Sequence, residues 1–202
     1  MKSSSSPRGD RPAKPASKRS TLIDYAVIAG VAIVLALVLQ AFVVKPFRIP
    51  SPSMVPTLEP RDRVLVNRFI FHFHQPQGGD IIVFRYPRDP KLVFIKRVIG
   101  TPGDIVSLDD GKVVVNGQVL DEPYLATQGG QPVPTVPLLP AGAADQPWSL
   151  NEPYTVPADS YFVMGDNRLE SEDSRFWGPV PKGNLIGDAF LVYWPPQRIK
   201  TL

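Results

Sequence analysis

Residues 25–44 form a run of twenty with a single strongly polar side chain, Gln40. No other feature restricts the fold of this chain so strongly. At 1.5 Å per residue a helix over this run covers about 30 Å, the thickness of the hydrocarbon layer of a bilayer. The run is longer than the roughly 7–15 apolar residues of a cleavable signal sequence. It therefore predicts a retained transmembrane helix over residues 21–44. Ser20 or Thr21 supplies an N-cap and Asp24 an early acid, which suits the positive end of the helix dipole.

The charge is divided to match. The first 20 residues carry +5, and the rest of the chain about −2, out of a total of +3. A nucleic-acid-binding domain keeps its positive charge on the folded surface where phosphates are met, so no nucleic-acid partner is expected. Residues 1–20 are too poor in apolar groups to offset the entropy of ordering, and predict a disordered basic tail. Six Lys and Arg precede the apolar run, against Lys45, Arg48, Arg61 and Arg63 just after it. This bias places the N-terminus in the cytoplasm and residues 45–202 outside it, on a single-pass protein of the cell membrane.

The 24 prolines argue against a helical bundle and for short strands and turns. Residues 63–67, 80–86, 92–99, 105–108, 112–115, 118–120, 160–164 and 185–194 are β-branched or alternating runs that predict strands. Asp110-Gly111 and Asn116-Gly117 predict tight hairpin turns, and so a meander over 105–120. Residues 126–153, rich in Pro, Gly, Ala and Gln, predict an irregular surface excursion. The fold class is mainly β: an antiparallel body with Greek-key or meander connections, behind one N-terminal transmembrane helix.

Without cysteine the chain has no disulfide, thiolate nucleophile or iron-sulfur site. The two histidines, His72 and His74, have no convergent third ligand, so neither metal nor cofactor is expected. Catalytic candidates lie elsewhere. Prolines at 50, 52 and 56 stiffen the bend that carries Ser51 and Ser53 just beyond the apolar run. A histidine base would have to come from the aromatic run around His72, with no obvious acid to orient it. Lys96 fits better. Period two along 92–99 puts it on one face with Leu92, Phe94 and Val98, an apolar setting of the kind that lowers an amine pKa and lets it accept a proton.

Pro50-Ser51-Pro52-Ser53-Met54 with Pro56-Thr57-Leu58 is the first of four blocks; Gly79-Asp80-Ile81-Ile82-Val83-Phe84 is the second. Phe94-Ile95-Lys96-Arg97-Val98-Ile99-Gly100 with Pro102-Gly103-Asp104 is the third. Gly165-Asp166-Asn167-Arg168 with Ser171, Asp173-Ser174-Arg175 and Trp177-Gly178 is the fourth. In this order, behind an apolar N-terminal segment, they resemble the bacterial type I signal peptidases, Ser-Lys serine proteases that cleave signal peptides from exported preproteins.

The resemblance implies Ser53 as nucleophile and Lys96 as general base, with Ser51 and the Ser53 N–H forming the oxyanion hole. It implies Ser171 as the group orienting the amine, and Asp173 with Arg175 as an ion pair supporting that loop. It also implies Phe47, Ile49, Pro50, Met54, Val83, Phe94 and Ile95 as the substrate pocket, for signal peptides with small residues at the first and third positions before the scissile bond. Leu169-Glu170 departs from the more polar pair common in the family. The rival readings are a specialised Ser-Lys maturation protease of the conjugative pilin type and a non-catalytic membrane-anchored β-domain.

Overall fold

Ile81, Ile82, Val83 and Phe84 are all buried, and they divide by period two between two cores. Ile81 and Val83 join Ile49, Met54, Leu58 and Val64, while Ile82 and Phe84 join Val98, Tyr161, Val163 and Trp177. A strand that is apolar on both faces must be covered on both, which makes this segment the middle of the body. Burying a side chain such as Phe84 contributes about 1.5–3 kcal/mol.

The computed structural model describes residues 18–137, 146–150 and 152–202. Most of the expected tail, residues 1–17, lies outside the described residues. The chain divides into two units, 1–39 and 40–202. Helix α1, Lys18–Phe42, begins before residue 21 and ends before residue 44. Val44 instead opens strand β1, Val44–Arg48, since Pro46 disfavours helix for the residue before it. The apolar side chains of α1 from Leu22 to Val38 are exposed. Among the described residues no helix is long and apolar enough to cross a membrane.

The remaining elements follow in chain order: β2 (Arg63–Asn67), β3 (Ile81–Tyr86), β4 (Asp89–Gly100), β5 (Ile105–Asp109), β6 (Lys112–Val115) and β7 (Gln118–Val119). Then come β8 (Thr127–Gln128), β9 (Gln131–Pro132), β10 (Tyr154–Thr155), β11 (Ser160–Met164), the short helix α2 (Ser174–Trp177), β12 (Val180–Pro181), β13 (Leu185–Trp194) and β14 (Lys200–Thr201). The main sheet runs β1-β2-β13-β3-β4-β11-β12, with β14 added on β13. Its paired strands are antiparallel, and β13 returns between β2 and β3.

A second sheet, β10-β5-β6-β7, contains the expected meander. Asp110, Gly111, Asn116 and Gly117 all take positive φ at its two turns, as the Asp-Gly and Asn-Gly pairs require. Residues 138–145 and 151 of the expected excursion lie outside the described residues, and the rest is less loose than its composition implies. Residues 127–132 form a small hairpin, and Val133, Thr135, Ser149 and Leu150 are buried. Isolated apolar side chains and hydrogen bonds to distant arginines hold it, and neither leaves a periodic trace in the sequence.

Candidate active site

The turn carrying Ser53 is pinned by its neighbours. Ser51 is extended, at φ −126° and ψ 158°, and Pro52 opens a single 3-10 turn over Pro52–Met54. Met54 and Leu58, both fully buried, plug the turn into the core beneath it. The main chain is clamped on either side: Ile49 N–H donates to Asp62 O at 2.9 Å, and Asn167 N–H to Ser53 O at 3.1 Å. Ser53 itself is 6% exposed.

Lys96 reaches this turn from β4, where it pairs with Ile82 of β3. Its Nζ lies 2.6 Å from Ser53 Oγ, and Ser51 Oγ lies 3.3 Å from the same oxygen. The sequence placed Lys96 in an apolar setting, and it is 5% exposed, with Val98 buried on the same face. Its Nζ stands 5.9 Å from the centre of the Phe94 ring. Leu92, expected on that face too, is exposed. Burial pulls the Lys96 amine down from 10.5 to about 8, against the attraction of Asp173 and Asp166 for its charged form. That value leaves roughly a tenth of the amine neutral near pH 7.

The loop from β11 to α2 packs behind the pair. Asp173 and Arg175 form an ion pair at 2.8 Å with both side chains fully buried. Burial pushes the Asp173 carboxyl up, but Arg175, the Gly165 N–H and Lys96 more than offset it and hold the group below the usual carboxylate range. Ser171 differs from expectation. Its hydroxyl donates to Asp173 Oδ2 at 2.8 Å, and no hydrogen bond links it to Lys96 among the described residues. A carboxylate is the stronger acceptor, so it captures the hydroxyl.

A cleft of about 360 Å³ is lined by Pro50, Ser51, Ser53, Val93, Phe94, Ile95, Lys96, Glu170 and Glu172. A smaller cavity of about 30 Å³ is lined by Phe47, Arg48, Ile49, Pro50, Val83, Val93, Phe94 and Ile95. Six of the seven expected pocket residues therefore line these two spaces. Met54 lines neither: it is a core residue, because the turn that presents Ser53 needs an apolar plug on its opposite side. Val93, Glu170 and Glu172 escaped the sequence reading, since strand alternation and loop composition do not show which side of a cleft they face.

From Val93 to Lys96, β4 pairs with β3 on one side only, because β11 joins it from Arg97 onward. A hydroxyl against a neutralisable amine, beside an open strand edge in an apolar cleft, is suited to acyl transfer on an extended peptide. That chemistry is the province of serine peptidases with an amine base.

The sequence profile of the family described as "Signal peptidase, peptidase S26" matches residues 22–194. Signal peptidase I of Leptolyngbya laminosa is 42% identical over 95% of this chain and 91% of its own length. Signal peptidase I of Pseudomonas aeruginosa is 36% identical over 92% and 78%, and probable signal peptidase I-1 of Synechocystis sp. 42% over 83% and 80%. The chain belongs to the S26 signal peptidase family and is a serine peptidase of that class.

Proposed function

We propose that the enzyme cleaves signal peptides from preproteins, with Ser53 as nucleophile and Lys96 as general base. The contact that carries this reading is the 2.6 Å hydrogen bond between Lys96 Nζ and Ser53 Oγ inside the cleft. The neutral amine takes the Ser53 proton as Oγ adds to the scissile carbonyl. The resulting oxyanion is met by the Ser53 N–H and the Ser51 hydroxyl, each such donor being worth about 3–4 kcal/mol. The Lys96 ammonium then protonates the leaving amine, which departs with the mature chain. Water, deprotonated by the same amine, hydrolyses the acyl-enzyme and restores Ser53.

The signal peptide adds to the open edge of β4 as an extended strand, its backbone supplying affinity and alternate side chains entering the cavities. The smaller cavity, walled largely by Phe47, Ile49, Pro50, Val83, Phe94 and Ile95, suits a small apolar side chain before the scissile bond. Asp173 holds Ser171 and Arg175 together, so Ser171 supports the amine through Asp173, whose charge favours the protonated lysine.

We assign to the apolar run at residues 25–44 the role of a single membrane crossing, with the N-terminus cytoplasmic and residues 45–202 outside. That run holds one strongly polar side chain, Gln40, in twenty residues, and twenty residues wound as a helix match about 30 Å of hydrocarbon. Its exposed apolar side chains want a non-aqueous neighbour.

The deciding experiment is cleavage of ordinary signal-peptide precursors by detergent-solubilised wild type, Ser53→Ala and Lys96→Ala. Loss of turnover in both variants is expected. Full activity in either would remove that residue from its role, and turnover restricted to one precursor would favour a specialised maturation protease.

A further inference from the structure

Behind the cleft lies a polar frame that the reaction as described above does not use. Glu122, just past β7, has a side chain only 6% exposed, paired with an Arg168 side chain that is fully buried. The Glu122 carboxylate accepts hydrogen bonds from Arg168 Nη1, Arg168 Nη2 and the Tyr124 hydroxyl, the last at 2.8 Å. Arg168 also donates from Nη1 to Thr135 Oγ1 and from Nε to Gly165 O at 3.1 Å. Tyr124 lays its ring 3.9 Å from the Arg97 guanidinium carbon. Arg97, the residue after Lys96, donates twice to Asp166, at 2.8 and 2.7 Å, and once to Gly79 O. Arg175 closes the frame from the other side, donating to Arg168 O and Val136 O at 3.0 Å each.

We infer that Glu122 is a positioning residue for the Ser53–Lys96 pair, its carboxylate joining Arg168 and, through Tyr124, Arg97 into one buried frame that holds residues 165–171 against the strand bearing Lys96. The inference rests on the reading of Lys96 as the base. Residues 122–136 thus act as a buckle across the back of the site, tied to both segments that fix the distance between amine and hydroxyl. Burial and the neighbouring Glu122 push the Tyr124 phenol above its ordinary value, so it stays a donor throughout the working range.

The electrostatics give this role a signature. The groups facing Lys96 are Asp173, Asp166 and Glu172, which favour its ammonium form, and Arg175, which opposes it. Arg97 adjoins it on β4, and Ser53 faces it from the nucleophile turn. The groups facing Glu122 are Arg168 and Tyr124, with Thr135 sharing Arg168. A fully buried cation that loses its carboxylate must recruit another or admit water. The other carboxylates on the Arg168 loop include Asp166 and Asp173, the two that most favour the Lys96 ammonium. Removing the Glu122 charge therefore disfavours that ammonium, and the acid limb of the rate profile moves to lower pH.

The test uses the full chain in detergent with a signal-peptide precursor, measuring kcat, KM, pH profiles and thermal unfolding. Glu122→Gln is expected to lower kcat about tenfold with KM within about twofold, and to move the acid limb down by about half a pH unit. Glu122→Asp, which keeps the charge, returns the acid limb to its wild-type position. Tyr124→Phe keeps the ring over Arg97 but cuts the link to Glu122, and lowers kcat roughly threefold. If Glu122→Gln does not fold, Tyr124→Phe decides. Wild-type kcat in Tyr124→Phe, or an unmoved acid limb in folded Glu122→Gln, overturns the inference. Lys96→Ala run alongside keeps the two readings apart: activity retained there removes the base assignment, whereas its loss beside an unaffected Glu122→Gln removes only the role of Glu122.

Discussion

Lys96 Nζ and Ser53 Oγ, 43 residues apart in sequence, are 2.6 Å apart in the fold, and both side chains are buried. Burial brings the amine to about 8, so the neutral, proton-accepting form grows as pH rises through that value. The rate kcat/KM is expected to climb about tenfold per pH unit below pH 8 and to level above it. A profile on precursor cleavage still rising toward pH 10 would show that the amine is hydrated like free lysine.

The same burial has a cost in stability. The Lys96 pKa is lower in the folded chain, about 8, than the 10.5 of a solvated lysine, so between those values the unfolded chain binds more protons. Wild-type stability therefore rises with pH across that window, and below it the fold carries an unfavourable buried ammonium. Lys96→Met should be inactive yet more stable near pH 7 by about 3 kcal/mol, the advantage vanishing toward pH 10.5. Denaturant titrations of both proteins at pH 7 and pH 10 check this; equal stability at pH 7 would mean the amine is not desolvated.

Gly165 is where backbone meets backbone. A Cβ there would stand 2.4 Å from Ser53 O and 2.3 Å from Ser171 Oγ. Neither the nucleophile turn nor the β11–α2 loop can move without shifting Ser53. Gly165→Ala is expected to lower kcat about 100-fold through misplacement of the hydroxyl and to destabilise the fold by about 1–3 kcal/mol. Steady-state kinetics and thermal unfolding measure both; near-wild-type turnover would show that the turn tolerates displacement.

Removing Asp173 strands a cation. Arg175 is fully buried and donates three hydrogen bonds to that carboxylate, from its backbone N–H, Nε and Nη2, the last being the ion pair at 2.8 Å. Asp173→Ala also deprives the Ser171 hydroxyl and the Gly165 N–H of their acceptor. The expected loss is about 3–5 kcal/mol, read from chemical unfolding. A loss under about 1 kcal/mol would mean that water or another carboxylate takes over.

The small cavity sets a size limit. Val83, 1% exposed, forms part of its wall. Val83→Ala should raise turnover of precursors with Leu in place of Ala three residues before the scissile bond, relative to the parent precursor. Paired precursors give this ratio directly, and an unchanged ratio would show that the side chain at that position does not enter the cavity.

Much of the body was readable along the chain. The strands over 63–67, 112–115, 160–164 and 185–194 fall where β-branched alternation puts them, and both hairpin turns follow from Asp-Gly and Asn-Gly. β4 runs from Asp89 to Gly100, longer at both ends than its apolar stretch, because pairing with β3 and β11 extends it. β1 was hidden because it shares only Val44 with the apolar run and carries Pro46, a residue that strands seldom hold. The buckle at residues 122–136 was hidden too, because Glu122 and Arg168 are ordinary polar residues in a sequence and become a buried pair only after 46 residues of chain have folded back.

By itself the sequence determined what depends on near neighbours: the stiff bend of prolines around Ser53, the period that sets Lys96 among apolar residues, the turns, and the blocks that mark the family. Tertiary structure alone decided what depends on distant ones. Whether Met54 is pocket or plug, whether Ser171 donates to the amine or to Asp173, and how far burial lowers Lys96 all follow from packing and solvent exclusion. Those are properties of surfaces brought together across the sheet, and a local run of residues does not encode which surface it will meet.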